Sequence, residues 1–289
     1  MVRSFFLTIL VLLSFGGAWF SYVEDVVVSK ADFNVNPNFK IYDGTLYKNK
    51  PDLTLYGMNP VNIIYASRFW KDWAEKPNLE TLPDKNTIKQ LAMEAKQKNQ
   101  LTVLDIEHWE LNPDNKIKFS RNLSKYIKVI SIFRQNSGSV NLGYYSKIPM
   151  PAFTWSLKDK ASDGFRQWED INNNLTPISR AVDVIFPSLY TYSTDMEKWV
   201  QYAIENIKQA RKYGNPVVVF IWPQYSERKK TLANRFISTD FWLLQLKTVS
   251  RYADGVVIWG GWGGDGPMQW DNNAQWWKIT KDYINKMKL

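Results

Sequence analysis

Beyond about residue 53, short apolar runs rich in β-branched and aromatic residues alternate with longer amphipathic stretches, and this alternation narrows the possible folds more than any other feature of the chain. The runs fall at 62–66, 101–106, 140–145, 182–190, 216–222 and 255–259, and the amphipathic stretches at 87–99, 121–135, 197–213, 239–252 and 274–286. Within the runs apolar residues are nearly continuous, the pattern of strands covered on both faces. Repeated strand and helix units of this kind build a parallel sheet with helices packed against it.

An open doubly wound sheet and a closed barrel both satisfy that pattern, so the loops must choose between them. No Gly-rich phosphate loop follows any run; Gly260-Gly261-Trp262-Gly263-Gly264 is glycine-rich, but it opens no helical pattern and Trp262 interrupts it. Polar and aromatic residues instead gather where the runs end: Asp105 and Glu107, Tyr144 and Tyr145, Tyr190 and Tyr192, Trp222 and Tyr225, Trp259 and Trp262. Sites assembled from several strand ends belong to (β/α) barrels. The expected fold is therefore α/β, a distorted (β/α) TIM-like barrel of one domain over 19–289, irregular or short by a strand because only six or seven strands can be counted.

Composition removes several chemistries. With no cysteine and one histidine in 289 residues, disulfides, thiolate metal sites, a cysteine nucleophile and multi-histidine metal sites are excluded, and no cofactor is expected. Aromatic residues make up 15% of the chain, including 14 Trp; such rings stack on sugar faces, and they also pack cores. The formal charge of +9 suits a polyanionic partner or simply aids solubility. Lys and Arg are dispersed rather than gathered into an arm or stripe, so nucleic acid is not an expected partner. Residues 1–18 read as a signal peptide: Arg3, an uncharged run from Phe5, then Gly16, Gly17 and Ala18. Export follows, with no stable membrane insertion after cleavage; the uncharged run continues to Val23, so an N-terminal anchor is the alternative. Asn122 and Asn174 fit the glycosylation pattern.

Asp105-Ile106-Glu107 closes an otherwise apolar run. In an extended segment residues i and i+2 face the same way, so the two carboxylates should project together. Two such groups do not ionise independently: one is pushed toward the protonated form while the other stays charged, a division of labour that glycoside cleavage requires. A helix cap or a pairing with lysine is the plainer alternative. His108 should point away from the pair if the strand persists, as a structural partner, and no Ser-His-Asp arrangement accompanies it.

Asp105-Ile-Glu-His-Trp109, Gly143-Tyr-Tyr145, Phe186-Pro-Ser-Leu-Tyr190, Ala210-Arg-Lys-Tyr-Gly-Asn-Pro216 and Gly255-Val-Val-Ile-Trp-Gly-Gly-Trp262 occur in an order and at intervals that resemble the hyaluronidases of animals and venoms, over roughly residues 53–283. The resemblance implies a secreted endo-acting glycosidase that cleaves β-linked N-acetylhexosamine polymers with retention, the substrate's own acetamide acting as nucleophile. It implies Glu107 as general acid and base, Asp105 as the carboxylate that orients the acetamide N–H, Tyr190 as a donor to the acetamide carbonyl and Trp259 as the indole around its methyl group. Tyr144, Tyr145, Tyr192 and Trp262 are further candidates to line the sugar cleft, and strand-end packing is the alternative for each of these aromatics. The implied partner is an acidic polysaccharide, hyaluronan or chondroitin, bound by a monomer. Chitin-like or peptidoglycan chains, or a catalytically silent carbohydrate-binding barrel, are the competing readings. The chain departs from the family in lacking its paired cysteines, in carrying Ser146-Lys-Ile-Pro-Met-Pro-Ala-Phe153 where the family has a Cys-Tyr-Asn segment, and in having Glu110-Leu111 where Arg-Pro is frequent.

Overall fold

The computed structural model describes residues 35–70, 73–263 and 266–287; the expected signal peptide at 1–18 lies outside the described residues. Six parallel strands form one sheet: β1 (Lys40–Thr45), β2 (Asn59–Tyr65), β3 (Leu101–Asp105), β4 (Leu142–Tyr144), β5 (Val218–Ile221) and β6 (Gly255–Gly260), in the spatial order β4-β3-β2-β1-β6-β5. Around it pack α1 (Lys85–Lys98), α2 (Lys116–Ser137), α3 (Asp163–Asn173), α4 (Met196–Arg211), α5 (Thr239–Tyr252) and α6 (Gln275–Met287). Side-chain caps fix where several of these begin: the Asp84 carboxylate accepts from the Asn86 and Thr87 amides at α1, Asn115 from Lys118 at α2 and Ser238 from Phe241 at α5.

The run expected as a strand at 182–190 forms no regular ladder, yet it closes the barrel. On one side Tyr145 bridges to Phe186, and the Ser146 amide donates to the Phe186 carbonyl at 2.8 Å; on the other, Ser188 bridges to Phe220, and the Leu189 amide donates to the Phe220 carbonyl at 2.8 Å. Pro187 lacks an N–H and so interrupts any ladder there. The sheet edges β4 and β5 are thus joined through an irregular seventh member, and the chain is a distorted (β/α) TIM-like barrel.

Strand β1 was not legible in the sequence because Asp43 breaks its apolar pattern. Between β2 and β6, Asp43 is satisfied locally: Lys50 Nζ lies 2.5 Å from one carboxylate oxygen and the Thr45 amide donates to the other at 2.9 Å. Helix α3, amphipathic but short, was also missed.

Side chains alternate strictly along each strand. One row fills the barrel: Val103, Val184, Phe186, Val218, Phe220 and Val257 form a buried cluster, with Val61, Ile63 and Leu101 against it. Gly143 belongs to this row, and a Cβ there would sit 2.0 Å from the Val184 carbonyl oxygen and 3.0 Å from the Phe186 ring, so only glycine admits the closing segment. The other row faces the helices, where Trp168, Trp199 and Trp242 are fully buried and their indole N–H groups donate to Met150 O, Leu189 O and Thr280 Oγ1. Each such ring removes on the order of 200 Å² from water, so much of the tryptophan content serves the layer between sheet and helices. Asn122, one of the two glycosylation-pattern residues, is fully buried with its amide donating to Glu110 O at 2.8 Å, which removes it as an acceptor in the folded chain. Among the described residues no helix is long and apolar enough to cross a membrane.

Candidate active site

The inward row that packs the barrel ends, at the C-terminal mouth, in Tyr65 on β2, Asp105 on β3, Tyr145 just after β4, Tyr190 on the closing segment, Trp222 just after β5 and Trp259 on β6. Parallel pairing sets Tyr65 beside Asp105, and the Tyr145 amide donates to the Leu104 carbonyl at 3.1 Å, which puts Asp105 between the two tyrosines. The aromatic members touch in sequence. Tyr145 and Tyr190 have ring centroids 6.2 Å apart, Tyr190 and Trp259 stack at 5.9 Å with 29° between planes, and Trp222 meets Trp259 edge-on at 5.0 Å. Trp259 Nε1 donates to the Tyr65 hydroxyl at 3.1 Å. Asp105 is therefore the one carboxylate in a collar of aromatic rings.

That setting decides its ionisation. Burial pushes the Asp105 pKa up, the Glu107 charge adds to the rise, and Lys147 opposes it, leaving the value at about 7. No donor among the described residues hydrogen-bonds this carboxyl. Glu107 stands two residues past the end of β3 with its side chain exposed to the cleft.

The backbone that presents Glu107 is tied from two directions. On α2, the Tyr126 hydroxyl lies 3.1 Å from the Ile106 carbonyl oxygen and 3.0 Å from that of Trp109, bracketing Glu107. Lys147 Nζ donates to the Glu107 carbonyl itself at 3.1 Å. Ser146 makes this possible: at φ 53° it turns the chain back immediately after Tyr145, so that the next residue reaches across to β3. Burial pulls the Lys147 pKa down while the charges of Glu107 and Asp105 support its protonated form.

A cleft of about 680 Å³ opens over this mouth. Its walls come from four loops: Leu46 after β1; Ser67, Trp73 and Leu79 after β2; Glu107 and His108 after β3; Trp262 after β6. Tyr65, Asp105 and Trp259 line it as well. Because β3 ends at Asp105, His108 does not follow strand alternation and also borders the cleft. Its ring packs edge-on against Trp70 at 4.6 Å and Trp109 at 5.3 Å, and burial pulls its pKa down.

Of the residues singled out from the sequence, Asp105, Glu107, Trp259 and Trp262 line the cleft, and Tyr190 and Tyr145 form the collar beneath it. The Tyr145 hydroxyl donates to Ser188 Oγ at 3.1 Å. Tyr192 lies beyond the collar, packed edge-on against Phe153 at 5.8 Å; burial pushes its pKa up, and the Arg228 charge opposes the rise. Tyr144 is a correction. One residue before the inward Tyr145, it faces α2, is 2% exposed, and donates its hydroxyl proton to the Tyr126 carbonyl at 2.8 Å, so it packs the sheet against a helix rather than lining a sugar site. Tyr65, Lys147 and Trp73 were missed. Tyr65 lies within the run at 62–66, whose inward and outward residues read alike; the other two sit in loops where no periodicity applies. Among the described residues no group of three or more His, Asp or Glu is placed to hold a metal ion.

No family model and no curated protein matches the sequence. Solved structures do match in fold. Bee venom hyaluronidase, solved in complex with a hyaluronic acid tetramer, superposes with a TM-score of 0.60 at 16% identity, over 86% of this chain and 96% of that one. An endo-β-1,4-mannanase double mutant from Cellulomonas fimi superposes with a TM-score of 0.52 at 8% identity, over 80% of this chain and 55% of that one. What these structures share with this chain is the (β/α) barrel fold. At these identities the likeness concerns the backbone, and the cleft must speak for the chemistry.

Proposed function

We propose that this protein is a secreted endo-β-N-acetylhexosaminidase acting on hyaluronan-like glycosaminoglycans by a retaining mechanism in which the substrate's acetamide is the nucleophile. The observation that carries the reading is the Asp105 and Glu107 pair at the barrel mouth, one carboxyl sunk in an aromatic collar and the other free in the open cleft. An N-acetylhexosamine seated on Trp259 would set its acetamide against Asp105. The acetamide oxygen attacks the anomeric carbon as the glycosidic bond breaks, and Glu107 delivers its proton to the departing oxygen. Positive charge then grows on the acetamide N–H, and Asp105 accepts that hydrogen bond. A donor at Asp105 favours its ionised form, so the bound acetamide itself brings the raised pKa back down. Water activated by Glu107 opens the cyclic intermediate with net retention. Without Arg3 of the expected signal peptide the formal charge is +8, 36 Lys+Arg against 28 Asp+Glu, which suits a substrate that carries a carboxylate on alternate sugars.

The test is digestion of hyaluronan, chondroitin, chitin oligomers and peptidoglycan, with assay of new reducing ends and of 4,5-unsaturated products. Hyaluronan or chondroitin should yield reducing ends without unsaturation, and Glu107→Gln should lower turnover by at least about 100-fold, the scale of a lost general acid. Unsaturated products would replace hydrolysis with elimination. Activity on chitin oligomers alone would defeat the glycosaminoglycan assignment, and full activity in Glu107→Gln would remove the acid from the scheme.

A further inference from the structure

The tryptophans of this chain are almost all sheltered. Among those described, only Trp73, at 43% exposure, and Trp262, at 47%, are exposed, and both line the same cleft as the two carboxyls. Neither ring contacts another aromatic ring among the described residues, whereas Trp70, Trp109, Trp222, Trp259, Trp270 and Trp276 all do. An indole left in water forgoes the burial that drives its packing elsewhere in the protein, and an exposed apolar surface beside a cleft marks a binding surface. The remaining exposed apolar side chains, among them Leu55, Met93 and Ile117, lie outside the cleft lining.

The two indoles come from different loops. Trp73 opens a single 3-10 turn, Trp73–Glu75, in the connection after β2, the strand paired with the one bearing Asp105. Trp262 stands three residues past Trp259, at the end of β6. The strand order β3-β2-β1-β6 puts the connection after β1 between them, so one exposed ring belongs to the carboxylate side of the cleft and the other to the Trp259 side. We propose that Trp73 is a sugar-stacking platform on the Glu107 side, which with Trp262 on the other side binds successive pyranose units of one linear polysaccharide across the carboxyl pair. The inference rests on the glycosidase reading above and adds to it a requirement for ligand length: a single sugar covers the collar, while a chain several sugars long also reaches Trp73. Since Glu107 faces the departing sugar, Trp73 holds the part of the chain released with the leaving group.

The experiment separates binding from turnover. In a Glu107→Gln background, affinities for hyaluronan and chitin di-, tetra- and hexasaccharides are measured by calorimetry, with and without Trp73→Ala and Trp73→Phe, after confirming that each variant keeps the parent's circular dichroism. Trp73→Ala should weaken hexasaccharide binding roughly tenfold, the scale of one lost stacking ring, and leave the disaccharide unchanged, with Trp73→Phe recovering most of the loss. An equal loss at every length would show a merely structural effect and overturn the proposal, as would unchanged hexasaccharide affinity. If the Glu107→Gln parent bound none of these oligosaccharides, the proposed function would fall first and the platform with it. If the parent bound them and Trp73→Ala bound equally well, only the platform would fall.

Discussion

Asp105 offers a prediction that needs no substrate. Its pKa rises from 3.8 to about 7 on folding, a shift of roughly three units, and each unit corresponds to about 1.4 kcal/mol of differential stability between its two protonation states. The folded value lies above the unfolded one, so the native chain holds a proton that the unfolded chain releases. The stability linked to that proton is fully present below about pH 3.8, declines as the pH rises, and is gone above about pH 7. Asp105→Asn cannot ionise and shows no such decline. Across pH 4 to 8 the stability of Asp105→Asn relative to the parent should therefore climb by about 4 kcal/mol if the site were sealed, and by about 2 to 4 kcal/mol with water at the open side of the cleft. Urea unfolding of both proteins at closely spaced pH values measures this directly, because most other titrations are common to the two and cancel in the difference. Lys147 supplies the internal control. Its charge opposes the rise, so the climb measured for Asp105→Asn in a Lys147→Met background should be larger and should extend to higher pH. A difference curve flat to within about 1 kcal/mol over this range would refute the claim that Asp105 is held in a desolvated, negatively biased pocket.

Two further substitutions test the register of the barrel. Tyr144→Phe removes a buried hydroxyl that donates to the Tyr126 carbonyl, so it should cost about 1 to 2 kcal/mol in urea unfolding and leave the Michaelis constant for polysaccharide unchanged; a changed Michaelis constant at intact stability would return Tyr144 to the cleft. Gly143→Ala forces a methyl to within 2.0 Å of the Val184 carbonyl oxygen, and the closing segment must retreat. A loss of at least about 3 kcal/mol is expected, with the thermal midpoint as readout, and a variant as stable as the parent would show that the 182–190 segment does not seal the sheet.

How much was legible from the residues follows from where periodicity operates. Helix α5 was placed at 239–252 from pattern alone and occupies those residues, since a helix that is apolar along one stripe announces its period. Apart from β1, the strands were found but not oriented. Both faces of a parallel barrel strand are buried, so the inward and outward rows read alike, and nothing local told Tyr144 from Tyr145. The strand at 182–190 was found as an apolar run, but its role as an irregular seam depends on Pro187 meeting two neighbours that are distant in sequence. Asp105 and Glu107 were legible because charged residues are conspicuous at the end of an apolar run. Lys147 and Trp73 were not, since a lysine or an indole in a loop carries no sign of the direction in which the loop folds.

The sequence by itself determined the class of fold and the place of the acidic pair at the end of a strand, because those depend on residue type and short-range period. Tertiary structure alone decided which residues share the mouth of the barrel. Strand register brought Tyr65, Asp105, Tyr145, Tyr190, Trp222 and Trp259 into one collar, and it turned Tyr144 outward. Burial in that collar, more than the charge of nearby Glu107, raised the Asp105 pKa, and the turn at Ser146 carried Lys147 across to hold Glu107. Desolvation and cross-strand contact are properties of the closed barrel, and no segment of the chain possesses them before the barrel forms.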